Sequence, residues 1–396
     1  MTATAVAALL LGAGSALPAH ARSAQARSAA NAQAGIRAIR SAVRQRTTAR
    51  ATTVPVVTTV AATTLPATLP ATRPIAAPPT TPVSDVIDGA QSQRLQQALD
   101  RWTLSESGLG SMTVSLRIGG RTWAGSARAD GATGPDPAAV YRVMSITKTF
   151  TAALVLRAVE AGRLTLDGPL PRLDAVPDPM PEGLTIRRLL GHRSGLVDYS
   201  EAPGYQADQP ITPERAVELS LHAAPTSAPG STTKYANSNY LLLGLLLQQV
   251  EHRSYPDLVA DLATSVGLAN TYVDPPDRPG WAGFSSGGIM SSVTDIARWG
   301  DALFTPGRVV SPEVLALMST TGELEGGLGL WGVCPCTDGA PGLARFTAIG
   351  HHTVAGGLFR FPQSGLTLVM RAAPDGGDTK GRAVALAHQL LTALTG

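Results

Sequence analysis

An α+β fold, with one antiparallel sheet drawn from both ends of the domain, follows from three features of the sequence. The stretch TVSLRIGGRTWAGSA (113–127) alternates apolar and polar residues around Gly119-Gly120, the pattern of a β-hairpin. Far downstream, GGLFRFPQSGLTLVMRAA reads as two more strands around residues 362–365. Between these lie mainly long apolar helical segments and loops. Early and late strands separated by helices share one sheet in α+β domains, with helices flanking it and the middle of the chain forming an all-helical subdomain.

The elements justify themselves in chain order. Residues 1–21, MTATAVAALLLGAGSALPAHA, carry an apolar run that closes on Ala19-His20-Ala21. This is the layout of a secretory signal peptide, and the run is short for a bilayer span. No Lys or Arg precedes it. Residues 22–84 contain no acidic residue and turn from Arg/Ala/Ser-rich to Thr/Pro/Ala-rich. Such a composition builds no core, so it predicts a disordered, extended linker. Ile36, Ile39 and Val43, with Arg37, Arg40 and Arg44, share helical spacing. A weak contact of this basic stretch with an anionic wall or membrane surface is one expectation, and a solvated tether is the other.

The folded domain is expected over 85–396. Eight of the 32 basic residues precede it, leaving 24 against all 29 acidic ones and a net charge near −5. A nucleic-acid-binding domain places its positive charge on the fold, so that class loses its support. The stretch SITKTFTAALVLRAVEAG is apolar nearly all round and ends at Gly162, predicting a buried central helix that begins at Ser145. SNYLLLGLLLQQVEHR predicts a second helix, TDIARWGDALF a third with Thr294 as N-cap, and GRAVALAHQLLTAL a closing one. The two cysteines, Cys334 and Cys336, suit either a tight disulfide staple or a reduced pair.

Several serines compete for the role of nucleophile. GFSSG (283–287) matches the nucleophile-elbow pattern at Ser285, with Asp301 or Asp338 and then His351 in a plausible order. The elbow needs a buried strand before it, however, and DPPDRPGWA cannot be one. In LLGHRSGL, His192 and Ser194 are too close in a loop to form a nucleophile–base pair, and a turn closed by Gly195 is expected. Ser145 differs. At the start of the predicted helix its hydroxyl lies where free N–H groups favour a developing anion. Lys148, one of only three lysines beside 29 arginines, stands one turn on. A desolvated lysine can surrender its proton and serve as base, whereas arginine effectively cannot. Alone, Ser-x-x-Lys arises readily by chance in a serine-rich chain.

Two further segments add weight. In STTKYANSNYLLLG, Tyr235 and Asn237 bring a phenol and an amide just before an apolar helix, a proton-transfer and anchoring set that needs neither metal nor cofactor. In AIGHHTVAGGLF, His351 and His352 open a Gly-rich strand, and no metal-ligand pattern surrounds them.

Together these segments resemble the serine β-lactamase / D-alanyl-D-alanine carboxypeptidase superfamily, in its Ser-x-x-Lys / Tyr-x-Asn branch. LTIRRLLGHRSGLVDYS and SSGGIMSSVTDIARWGDAL also resemble segments of that family, and the similarity runs in its order from about 91 to 394. The resemblance implies a β-lactamase/transpeptidase-like fold and a serine hydrolase without a cofactor; with the signal-peptide layout of residues 1–21, an exported monomer is expected. Ser145 would be the acyl-forming nucleophile, Lys148 its base, Tyr235 a proton carrier to the leaving group, and Asn237 an anchor for a substrate amide. The oxyanion would sit on the N–H of Ser145 and that of Val354, with His351 opening the third motif. The expected substrate is a peptidoglycan stem peptide. A β-lactamase, a carboxylesterase and a non-catalytic penicillin- or peptide-binding sensor are the alternatives. Thr353 stands where the family has glycine, so an altered substrate range is expected from its side chain.

Overall fold

The computed structural model describes residues 86–87, 89–106, 109–176, 180–275, 279–320, 327–331, 347–349, 356–361, 364–373 and 379–395. The readings of residues 1–84, of Cys334, Cys336 and Asp338, and of His351, His352, Thr353 and Val354 lie outside the described residues. Helix α1 (Gly89–Ser105) leads to strands β1 (Ser111–Ile118) and β2 (Arg121–Arg128). Gly119 and Gly120 join the strands at φ +57° and +78°. Successive positive φ values give a two-residue hairpin the twist of its strands, and glycine adopts them without a Cβ clash.

Strand β3 (Tyr141–Arg142) is followed by a 3-10 turn, Met144–Ile146, that runs directly into α2 (Thr147–Glu160). Helices α3 (Ile186–Leu190), α4 (Pro213–His222), α5 (Asn237–Glu251) and α6 (Tyr255–Ser265) come next. Then follow β4 (Tyr272–Val273), α7 (Phe284–Gly287), β5 (Ile289–Ser291), α8 (Val293–Phe304) and α9 (Pro312–Ser319). The last elements are β6 (Thr347–Ile349), β7 (Gly356–Phe361), β8 (Leu366–Ala373) and α10 (Thr379–Thr395).

The main sheet has the order β2-β1-β8-β7-β6. Strand β1 pairs antiparallel with β8, from Ser111 opposite Ala373 to Arg117 opposite Thr367. The N-terminal hairpin and the C-terminal strands therefore share one sheet, as the patterning predicts. Alternation sorts the side chains between layers. Leu366, Leu368, Met370 and Ala372 of β8 pack with Leu95, Leu99 and Trp102 of α1 and with Leu386 and Leu390 of α10. Val369 of β8 and Leu358 of β7 belong to the opposite layer, with Ile296 and Trp299 of α8. Gly300 lets α8 settle on the sheet, since a Cβ there would stand 2.5 Å from Leu358 Cδ1.

The helical layer is centred on α2 and α5, whose leucines and alanines are buried on almost every side. Phe150 of α2 stacks on Trp299 with ring centroids 3.9 Å apart, and the Trp299 indole donates to Thr149 Oγ1 at 2.8 Å. The structure adds a small second sheet, in the order β3-β5-β4, to this half. Its strands are two or three residues long, below what alternation can signal.

Two boundaries differ from the sequence reading. The N-cap of α8 is Ser292, not Thr294: Ser292 has extended backbone and its hydroxyl accepts the N–H of Asp295. Thr294 already lies in the first helical turn. Helix α2 starts at Thr147, not Ser145, because Met144 has φ +52° and the chain enters through the 3-10 turn.

Candidate active site

That entry turn sets Ser145. Lysine follows three residues later, so its side chain returns to the face the serine occupies. Lys148 Nζ lies 3.1 Å from Ser145 Oγ, 2.8 Å from Asn237 Oδ1 and 2.6 Å from the carbonyl of Ser286. Tyr235 Oη is 2.5 Å from Ser145 Oγ on its other side. Four predicted residues, Ser145, Lys148, Tyr235 and Asn237, thus converge from two segments. The three other predicted residues, His351, Thr353 and Val354, are not described.

Lys148 is only 4% exposed. Burial pushes its amine down to about 7, opposed by the carboxylate of Asp198, which favours the charged form. The contact geometry fits the neutral amine. Two N–H groups satisfy Asn237 Oδ1 and the Ser286 carbonyl, both pure acceptors, and the lone pair is left for the serine hydroxyl. Tyr235 behaves oppositely: burial raises its phenol well above the ordinary value, only partly offset by the hydrogen bond to Ser145. It therefore stays protonated at neutral pH, where Lys148 readily gives up its proton.

Asn237 opens α5. Its backbone N–H is held by Asp198 Oδ2 at 2.5 Å, while its side-chain nitrogen makes no hydrogen bond among the described residues. The remaining walls are aromatic or small: a pocket at the serine is lined by Ser145, Lys148, Thr149, Tyr235, Tyr240, Gly329 and Trp331. Among the described residues no group of His, Cys, Asp and Glu has the arrangement to hold a metal ion.

Ser285 is excluded as a competing nucleophile by its surroundings. It is fully buried and its hydroxyl donates to the carbonyl of Tyr240 at 2.8 Å. The turn predicted at Gly195 is present, with φ +78°, and Ser194 is buried with its hydroxyl on Asn239 Oδ1 at 2.6 Å. Sequence reasoning passed over Asp198, however, and weighed His192 only as a base for Ser194. Both lie in the family-like stretch LTIRRLLGHRSGLVDYS, which places them near the site but says nothing of their contacts.

A mixed fold with a serine, a buried lysine of lowered basicity and a phenol in one pocket defines a class of serine hydrolase. The chain belongs to the beta-lactamase family, whose model matches residues 92–372. It is 25% identical to penicillin-binding protein 4 of Amycolatopsis lactamdurans over 308 residues, covering 65% of this chain and 77% of that one. It is 27% identical to the D-alanyl-D-alanine-carboxypeptidase/endopeptidase AmpH of Escherichia coli over 190 residues, 42% of this chain and 49% of AmpH. The chain thus spans about half of AmpH, and 26% of a further curated relative, protein flp of Staphylococcus aureus. Among solved structures, D-amino acid amidase from Ochrobactrum anthropi superposes with a TM-score of 0.61 at 19% identity, covering 76% of this chain and 98% of that one, a likeness of fold.

Proposed function

We propose that the protein hydrolyses its substrate through an acyl-enzyme on Ser145, and that it is an exported D-alanyl-D-alanine carboxypeptidase acting on peptidoglycan stem peptides. The observation that carries the chemistry is the position of Ser145 Oγ between Lys148 Nζ at 3.1 Å and Tyr235 Oη at 2.5 Å. As Oγ attacks the carbonyl carbon, its proton passes to the neutral amine of Lys148. The phenol of Tyr235 carries a proton between the serine side and the leaving group, which departs as a neutral amine or alcohol. The free amide nitrogen of Asn237 donates to a substrate carbonyl and sets the scissile bond over the serine. Water then repeats the sequence in reverse to release the acid.

The choice of peptidase is supported by the activity for which AmpH is named and by the likeness to penicillin-binding protein 4. Export rests on residues 1–21, and the Thr/Pro-rich stretch to residue 84 suits an enzyme tethered at a distance from the membrane. The test is intact-mass measurement after mixing with a labelled penicillin, with an activated ester and with a peptide ending in D-Ala-D-Ala. Release of D-alanine with transient mass on Ser145 is expected. Turnover of short esters alone favours a carboxylesterase, rapid turnover of the penicillin favours a β-lactamase, and an adduct that never turns over favours a sensor. Secretion is checked by fractionating cells that express residues 1–396 against a chain lacking 1–21.

A further inference from the structure

His192 is a buried imidazole that the chemistry above does not use. It is 2% exposed and lies in the left-handed region, at φ +55°, which a non-glycine residue adopts only under constraint. Its ring also lies against Tyr240 and Trp331, with centroids 5.2 and 5.6 Å apart, but most of its polar contacts reach the Tyr235 segment. Its carbonyl accepts the N–H of Lys234 at 2.9 Å. Its Nδ1 accepts the N–H of Ala236 at 3.1 Å and lies 3.2 Å from Asn239 Nδ2. Its ring stacks on that of Tyr235, with centroids 4.4 Å apart and planes 22° from parallel. The residues before and after Tyr235 are thus tied to one residue, Lys234 to its backbone carbonyl and Ala236 to the imidazole on which the phenol ring rests.

These contacts also fix the protonation state. An Nδ1 that accepts two N–H groups leaves the ring proton on Nε2, which makes no hydrogen bond among the described residues. Protonating Nδ1 would set a proton against the Ala236 N–H. Burial keeps the imidazole neutral well below the ordinary range, and the Lys148 amine adds to this whenever it carries a proton. It is therefore a permanent acceptor and a flat apolar support, not a second base.

We propose that His192 is the positioning residue for Tyr235, a template that holds its phenol at the serine so that proton delivery to the leaving group is fast. The inference rests on the reading of Ser145 as nucleophile and Tyr235 as proton carrier. It explains why a strained backbone is kept at this position: only from there do one carbonyl and one ring nitrogen bracket the Tyr235 turn.

The test uses a series of substituted phenyl acetates whose leaving groups range from good to poor, with acylation followed by stopped flow. Good leaving groups need no proton, so a misplaced phenol shows only with poor ones. His192→Phe keeps a flat ring but removes the acceptor. It should lose about 10- to 100-fold with the poorest leaving group and less than about threefold with the best, the pattern of Tyr235→Phe. The double variant His192→Phe/Tyr235→Phe should be no slower than Tyr235→Phe alone. His192→Asn, whose backbone accepts φ near +55°, serves as the variant that keeps the fold, and should show the same leaving-group dependence. A uniform loss across the series, or additive losses in the double variant, would overturn the positioning role and leave Tyr235 untouched. If Tyr235→Phe itself shows no leaving-group dependence, both the carrier and its template fall. If Ser145→Ala still turns over substrate, the nucleophile itself is wrong.

Discussion

Two serine-bearing turns lie against each other in this protein, and they are built alike. Ser145 follows Met144 at φ +52°, and Ser285 follows Phe284 at φ +44°. Each turn places a non-glycine residue in the left-handed region, which costs about 1–2 kcal/mol. Their outcomes differ. Ser145 directs its hydroxyl at an amine and a phenol, whereas Ser285 spends its hydroxyl on the Tyr240 carbonyl. The second turn contributes carbonyls instead: Ser285 O accepts from Thr151, and Ser286 O accepts from Lys148 at 2.6 Å. In the proposed mechanism one turn thus offers the reactive atom and the other holds the base. A strained serine turn is insufficient for a nucleophile, because the hydroxyl must also find a proton acceptor.

The largest effect that separates the turns falls on the base. Lys148→Arg should reduce acylation of Ser145 by at least about 1,000-fold, since a guanidinium stays charged at any working pH. Burst kinetics with an activated ester, read beside an unchanged thermal midpoint, checks this. Normal acylation would mean the base is misassigned.

The next effect is on pH. The amine must be neutral to act, and its folded value of about 7 lies below the ordinary 10.5. Acylation should therefore rise with pH through about 7, and fall about tenfold per unit below it. Because the carboxylate of Asp198 favours the charged amine, Asp198→Asn should move that rise to lower pH. A rate profile of the variant that coincides with the parent, or moves to higher pH, contradicts the assignment.

Smaller effects are expected where the second turn meets α5. A Cβ on Gly244 would stand 2.0 Å from Ser285 Oγ. Gly244→Ala should destabilise the protein by about 1–3 kcal/mol through overpacking, measurable by urea denaturation. It should also slow acylation by displacing the Ser286 carbonyl that orients Lys148. Ser285→Ala removes only the bond to Tyr240, so a loss of about 1 kcal/mol in stability is expected. Acylation should stay close to the parent rate, whereas a loss comparable to that of Ser145→Ala would restore Ser285 as a nucleophile.

The sheet and the two apolar helices were legible because their signals are local. Alternation in TVSLRI and LTLVMRAA, a Gly-Gly turn, and segments apolar on all sides each report their own environment. The strands of the small sheet were not legible, since pairs such as Tyr141 with Ser291 are short and distant in sequence. The N-cap of α8 slipped by two residues because Ser292 and Thr294 are both competent caps, and backbone conformation chooses between them.

The candidate site divides the same way. Ser145 and Lys148 share one helical turn, so three-residue spacing alone predicts their contact. Tyr235 and Asn237 were legible as residue types with the right chemistry, and their order along the chain supplied the rest. Which side chains support them could not be read, because Asp198 and His192 act through contacts some 40 residues away in the chain. What the sequence by itself determined is the fold class and the candidates for the reacting groups, since periodicity encodes the first and the order of motifs along the chain points to the second. Only the tertiary structure decided that Lys148 is dry enough to lose its proton readily, that Ser285 is occupied, and that an imidazole lies beneath Tyr235. Desolvation and long-range hydrogen bonds belong to the packed chain, and no segment of the sequence carries them alone.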